Sequence, residues 1–593
     1  MSSNASGAGG GLEQGGLEQG GLERGGLERG GLEQGGLEQG GLEQGGLERG
    51  GLDRFGAAAA AVPTSADRFG AAAAAVRAST GRSPVHARGG LIATSQPLAT
   101  AAGVEVLARG GNAADAAVAV LGALSVLEPM MNGPGGDTFV VYYRAADRGV
   151  TAICGSGASA ALGTPDAYGR PSRMPTTGLR AAAVPGMVDA TWQLLQRLGS
   201  GRFGLPALWA RAIGYAEGGW PVGPRTLAHY GDAPAEFLPA GKPQPDLAAT
   251  LSRVAERGPD WFYRGPFAHA LEAFSLQRGG FLRAADMAAH STYVGPALGV
   301  RVGDLTFFAP PPPSQGVILL EALGIVGGGS LDPLSAAGVH LMVEAKKRAF
   351  ADRLAFVGDP AFVPFDPAYK LLRPEFLAAR RASIDPDRAS EGPGAGEPGD
   401  TTSFVVVDAG GDAASVITSN SAAWGCREVV PGTGVLLNNR AGRGFTLEAD
   451  HPNRLAPGKR TMHTLHCYLA VDTAGEAALL GGTPGGDGQP QWNLQVLMHL
   501  LKAGCDPQEA VERPRWYSSP GTDPEGLPAP DALRLESGFS DATVDRLAAM
   551  GHKVRTVPRR GGGGAVQVIV RGTSPGEWVA GSDPRADGCA VGL

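Results

Sequence analysis

Between Ile384 and Asn420 the chain changes character abruptly, and this joint constrains its fold more than any other stretch. Residues 384–399, IDPDRASEGPGAGEPG, carry no apolar periodicity and read as a flexible, exposed loop. Directly after it, Thr401–Asp408 and Ala413–Ser419 are β-prone runs separated by a glycine turn at Ala409–Asp412. That pattern predicts a hairpin with Thr401 at its entrance.

The region before the joint is mainly helical. In RGGLIATSQPLATAAGVEVLARGGNAADAAVAVLGALSVLEP, apolar residues recur at helical spacing from Leu98 to Arg109, and Gly110 and Gly111 interrupt them. Asn112 is a good N-cap for a second helix that runs to Leu127. NGPGGDTFVVYYR, 132–144, then reads as a glycine turn feeding a strand. Further helices are expected near 187–198, 206–217 and 247–256, and a long amphipathic one at about 334–356. After the joint, more strands are expected, at 433–438 and 564–571, with a helix near 490–503. This is a mixed chain of helices and strands.

The first 85 residues read differently. A GGLEQ or GGLER pentapeptide repeats through residues 10–52, and DRFGAAAAAV occurs twice, at 53–62 and 67–76. One leucine per five residues, flanked by glycines, cannot offset the cost of ordering the backbone, so residues 1–85 are expected to be disordered. The net charge of −7 argues against nucleic-acid or anionic-membrane partners. Five scattered cysteines without a CxxC fit reduced thiols, and no signal-like or membrane-spanning run is visible, so a cytoplasmic protein is expected.

Common catalytic signatures are absent: there is no HExxH, no GxxxxGK[ST] and no CxxC. His451, His463, His466 and Cys467 lack the neighbouring carboxylates or second cysteine of a metal site, so neither a metal nor an organic cofactor is expected. What remains is the hydroxyl at the start of a strand behind a cleavable loop. A threonine hydroxyl needs a base, and a threonine at a new chain end carries one in its α-amino group, whose ordinary pKa is about 7.7–8.0. Cleavage at Asp400–Thr401 creates such an end; an ordinary hairpin with polar strand ends is the alternative reading. A second feature, GGTPGGDGQPQWN at 481–493, offers glycine N–H groups at the start of a helix, suited to an oxyanion or a phosphate and equally to a structural turn.

Eight segments in order resemble landmarks of the γ-glutamyltransferase family of N-terminal-nucleophile hydrolases: GGLIATSQPLATAAGVEVLARGGNAADAAVAV, NGPGGDTFVV, APPPPSQGV, MVEAKKRAFADRLAFVGDP, GDTTSFVVVD, PGTGVLLNNR, APGKR and GGTPGGDGQPQ. The resemblance covers roughly residues 86–593. It implies an α+β fold, a four-layer αββα sandwich, and a precursor that cuts itself between Asp400 and Thr401 into chains of residues 86–400 and 401–593 that stay together. It implies Thr401 as nucleophile, Ser419 as the hydroxyl that orients it, and Gly485 and Gly486 as the oxyanion-binding backbone. Thr402 is expected to serve only as strand structure. The implied reaction is attack on an amide carbonyl, an acyl-Thr401 ester, and transfer of the acyl group to water or an amine. The implied partners are a small-molecule amide, its acceptor, and the two chains themselves.

Departures from the family pattern concern the substrate. Where γ-glutamyl members hold the α-carboxylate with an arginine, this chain has Gly155, Ser156 and Gly157. The usual serine pair is replaced by His463 and Thr464, and RAGRGF follows Asn439 where an acidic residue would bind the α-amino group. Such charge-assisted contacts are worth about 1.5–3 kcal/mol each, so free γ-glutamyl recognition is weakened. Ser421, Arg440, His463 and Thr464 are the candidate substrate contacts, with a substrate carboxylate or carbonyl expected at Arg440 and His463 unless these line a solvated rim. A γ-glutamyl compound such as glutathione and another small amide, oxamate-like or otherwise, are the competing substrates. A non-catalytic scaffold acting through its repeat tail is the alternative from a different class.

Overall fold

The computed structural model describes residues 81–231, 233–363, 366–392, 401–521 and 530–593. The repeat tail through residue 80, residues 393–399 of the predicted loop, and Asp400 lie outside the described residues. The fold begins slightly earlier than expected. Val85–Ala87 already pairs, antiparallel, with Trp578–Ala580.

Two seven-stranded antiparallel sheets form the centre. The first runs Cys589–Gly592, Gly90–Thr94, Thr402–Asp408, Ala413–Ser419, Asp137–Arg144, Gly149–Gly155 and Tyr293–Pro296. The second runs Val85–Ala87, Trp578–Ser582, Gln567–Arg571, Ala477–Gly482, Cys467–Val471, Leu305–Ala309 and Leu298–Val302. Alternate residues of the first sheet, such as Leu91, Phe139, Val405 and Ile417, meet Leu469, Leu480 and Ile569 of the second in one apolar layer. Their neighbours Ile92, Val140, Phe404 and Val416 point the other way, into a core shared with helices Pro97–Ala108, Ala113–Leu127 and Met187–Leu198. On the far side, Phe307, Tyr468, Leu479 and Val568 pack against helices Gly316–Val326, Ala336–Phe356 and Gly488–Leu501. The result is the αββα sandwich that the resemblance implied.

The hairpin forms as expected, with Thr402–Asp408 and Ala413–Ser419 fully buried between neighbouring strands. Asn112 caps the second helix through a reciprocal box with Asp115. Two expectations fail. The strand predicted at 433–438 shrinks to Val435–Leu436, because the glycines and asparagines around it turn the backbone; Gly434 has φ of 66°. The helix Ala336–Phe356 is not amphipathic in the usual sense: Glu344, Lys346, Lys347, Asp352 and Arg353 are buried among partners. Within the predicted loop, residues 384–392 are mostly exposed, yet Ser390 is tied by its hydroxyl to Glu344 and the Ala389 N–H donates to the Met550 carbonyl at 2.8 Å.

Candidate active site

Thr401 sits at the end of the first sheet, one residue before the strand begins, and is 2% exposed. Its Oγ1 donates to Ser419 Oγ at 3.0 Å. The hairpin makes this meeting unavoidable, since Thr402 pairs with Thr418 and the next pair outward is Thr401 and Ser419. Ser419 Oγ also accepts the Ser421 N–H at 2.8 Å, which fixes the chain as it leaves the strand. Ser421 has φ of 87°, a left-handed conformation uncommon for a residue with a side chain. Its Oγ is buried with no hydrogen-bond partner among the described residues, and its carbonyl accepts from Arg443 Nη1 at 2.8 Å.

Thr401 and Gly485 line one cleft of about 150 Å³, together with Pro484, Met130, Met131 and Glu128. Gly485 has φ of 121°, and an added Cβ would lie 2.1 Å from Trp492 Cζ3. The glycine loop therefore follows the contour of a buried indole, a close approach that any side chain would prevent. Its second side is held from behind. Gln315 Nε2 donates to the Gly486 carbonyl at 2.9 Å and to the Thr464 carbonyl, while Arg353 pairs with Asp487 at 2.6 Å and donates to Gln315 Oε1 at 2.5 Å. One buried network thus ties the glycine loop to the segment carrying His463 and Thr464.

The predicted substrate contacts form a second cluster. Asp137 stands opposite Ser419 in the sheet register. Its Oδ2 accepts from His463 Nε2 at 2.9 Å and pairs with Arg440 Nε at 3.3 Å. The Leu465 N–H donates to His463 Nδ1, so the imidazole is neutral with its proton on Nε2. Burial, and then the neighbouring Arg440 guanidinium, push the His463 pKa down to about 4 against the pull of Asp137. Arg440 Nη1 reaches Thr464 Oγ1 at 3.4 Å. His463 and Arg440 are buried, so the solvated-rim reading of these two residues is wrong.

Close backbone packing explains the missing arginine. A Cβ at Gly157 would fall 1.6 Å from the Val184 carbonyl oxygen, and one at Gly155 would fall 2.6 Å from that of Gly186. No side chain fits at either glycine, and Arg460 Nε donates to the Ser156 carbonyl between them at 3.0 Å.

Sequence reading did not single out Asp137, Gln315, Arg353 or Glu128, although the first three lie inside the quoted landmarks. For Asp137 and Glu128 the available signal was a carboxylate inside an otherwise glycine-rich or apolar run; Gln315 and Arg353 carried none of that kind. Thr402 also does more than expected: its Oγ1 hydrogen-bonds Ser95 Oγ at 2.7 Å. His463 and His466 do not converge on one point: His463 faces Asp137 and His466 Nε2 faces Asn493 Nδ2 at 3.1 Å. Among the described residues, His340, Glu344 and His552 come closest to a ligand set, but Glu344 is engaged by Lys347 and Arg348, each at 2.9 Å.

The sequence model of the gamma-glutamyltranspeptidase family matches residues 99–593. A glutathione hydrolase-like proenzyme, YwrD of Bacillus subtilis (strain 168), is 33% identical over 534 residues, spanning 85% of this chain and 98% of that protein. An oxamate amidohydrolase proenzyme of Klebsiella pneumoniae is 34% identical over 530 residues, spanning 85% and 98%. Among solved structures, a cephalosporin acylase from Bacillus halodurans aligns with a TM-score of 0.79 at 31% identity, covering 88% of this chain and 98% of that one. With that family model matching residues 99–593 and relatives 33% and 34% identical over 98% of their own length, the chain belongs to the gamma-glutamyltranspeptidase family.

Proposed function

We propose that Thr401, freed at its amino end by self-cleavage after Asp400, is the nucleophile of this amidohydrolase or acyltransferase. The observation that carries the reading is the 3.0 Å hydrogen bond from Thr401 Oγ1 to Ser419 Oγ at the wall of a cleft shared with Gly485. In the precursor, Oγ1 attacks the Asp400 carbonyl carbon, the Asp400–Thr401 C–N bond breaks as its nitrogen takes the Oγ1 proton, and water hydrolyses the resulting ester to leave chains of 86–400 and 401–593 with the repeat tail on the first. In the mature enzyme the new α-amino group takes the Oγ1 proton as Oγ1 attacks a substrate amide. Backbone N–H groups of Gly485 and Gly486 hold the developing oxyanion. The α-ammonium gives that proton to the substrate nitrogen, the C–N bond breaks and the amine leaves with its electron pair, and water or a second amine resolves the acyl-Thr401 ester.

The acyl group is proposed to carry a carboxylate but no α-ammonium. Arg440 and Arg443, beside Ser421 and Thr464, supply the cations for it. No acidic side chain occurs in RAGRGF to take an ammonium. That favours an oxamate-like or glutaryl-like amide over glutathione, and with five free cysteines a cytoplasmic site of action is the companion proposal. Intact mass after expression tests the cleavage: wild type gives two chains with the second beginning at Thr401, and Thr401→Ala gives one. Hydrolysis of oxamate, glutaryl-p-nitroanilide and γ-glutamyl-p-nitroanilide tests the substrate. Preference for the γ-glutamyl compound would overturn the assignment of the two arginines.

A further inference from the structure

Thr401 divides two environments of different character. The acyl-side cluster of Asp137, Arg440, Arg443, His463 and Thr464 contributes nothing to the walls of the cleft that Thr401 and Gly485 line. That cleft instead has Met130, Met131 and Pro484 as apolar walls and one buried carboxyl, Glu128, 6% exposed. Glu128 terminates helix Ala113–Leu127, and its Oε2 accepts from Ser95 Oγ at 2.9 Å. Ser95 in turn bonds Thr402, the neighbour of the nucleophile, so the carboxyl is fixed relative to Thr401. The other charged walls are already committed or lie in water. Asp587 accepts the Arg225 and Thr226 N–H groups and the Thr226 hydroxyl. Arg585 pairs with Glu536 at 2.5 Å and Asp583 at 3.1 Å. Arg225 and His229 are exposed, where solvent and salt screen them.

We propose that this cleft is the amine subsite and that Glu128 receives the ammonium group of a small primary amine with an apolar flank, as leaving group or as acceptor. The proposal rests on Thr401 being the nucleophile. An acceptor amine is protonated at neutral pH and cannot attack in that form. The Glu128 carboxylate accepts one proton from the ammonium, giving a neutral amine and a carboxyl group. The amine nitrogen then bonds the ester carbon, the C–Oγ1 bond breaks, and Oγ1 leaves with the electron pair and takes the nitrogen's second proton by way of the α-amino group. Glu128 returns its proton to water. Burial, opposed by the Thr402 and Ser95 hydrogen bonds and by His229, raises the Glu128 pKa, which suits it to accept that proton.

The test is the partition of the acyl-enzyme between water and added methylamine or glycinamide, followed by mass spectrometry of the products of a p-nitroanilide donor. In wild type, transfer rises and saturates with amine. A charge-assisted hydrogen bond corresponds to about a 10-fold effect or more, so Glu128→Gln is expected to lower the transfer-to-hydrolysis ratio by at least about 10-fold. Glu128→Asp, which keeps the charge and retracts it, is expected to raise the amine concentration needed for half-saturation with a smaller loss of ratio. It also serves if the glutamine variant fails to fold. Transfer and hydrolysis falling by one common factor in both variants, an unchanged ratio, or no amine product from wild type would each overturn the amine subsite. Failure of p-nitroaniline release in cleaved wild type with every donor would instead overturn the Thr401 reading itself.

Discussion

At the scale of single residues, the site turns on how few contacts fix Thr401, the proposed nucleophile. Ser419→Ala removes the hydroxyl that receives Thr401 Oγ1 at 3.0 Å and leaves the threonine rotamer less constrained. Losing one such bond is expected to cost about 1–2 kcal/mol in the reacting state, so kcat should fall about 10-fold with KM little changed, measured as initial rates on a p-nitroanilide. Arg440→Gln acts elsewhere. It removes the guanidinium held by Asp137, and raised KM for carboxylate-bearing amides with cleavage intact is the expected outcome, read from steady-state kinetics beside intact mass. Thr401 was legible because a hydroxyl at a strand start behind a glycine-rich loop has a chemical use. Asp137 was not, because nothing in NGPGGDTFVV says that its carboxylate will stand opposite Ser419 and face a histidine 326 residues away in sequence.

Among the elements, the glycine loop and the helix after it form one rigid part. Gly485→Ala places a methyl group 2.1 Å from Trp492 Cζ3 at a φ of 121°. Both the clash and the backbone conformation oppose it, and a loss of about 2–4 kcal/mol is expected, visible as a lower denaturant midpoint and a loss of activity larger than the loss of folded protein. Helix positions were read well wherever a cap and a period coincided, as at Asn112 and Leu127. In Ala336–Phe356 the pattern gives the helix but not its surroundings. Its charges repeat as on a solvated face, yet Arg353 reaches Asp487 and Gln315, and Lys346 reaches Ser518 at 3.0 Å. Periodicity records where polar groups lie around a helix, and it is silent on whether protein or water faces them.

For the whole molecule, both sheets interleave strands from before and after Thr401, so cleavage there leaves neither part with a complete sheet. The two chains are expected to co-elute in native size exclusion and to separate only in denaturant. Acid should weaken the assembly. Burial chiefly holds the pKa of His463 and His552 down to about 4, and that of His466 and His499 down to about 3, below the ordinary 6.5. The unfolded chain binds these protons first, so stability is full above about pH 6.5 and falls as pH drops toward 4. Asp408, raised to about 6 mainly by burial, works the other way over about pH 6 to 4, one group against four. A net loss of at least about 2 kcal/mol between pH 7 and 4.5 is expected from urea titrations of the cleaved protein. The sequence by itself determined the elements, the hairpin and the chemical candidacy of Thr401, because capping, periodicity and the need of a hydroxyl for a base are local properties. Only the tertiary structure decided that Ser419, Asp137, Gly485 and Glu128 surround it in two unlike environments, because those contacts join strands and loops whose pairing is set by the burial of faces from across the chain.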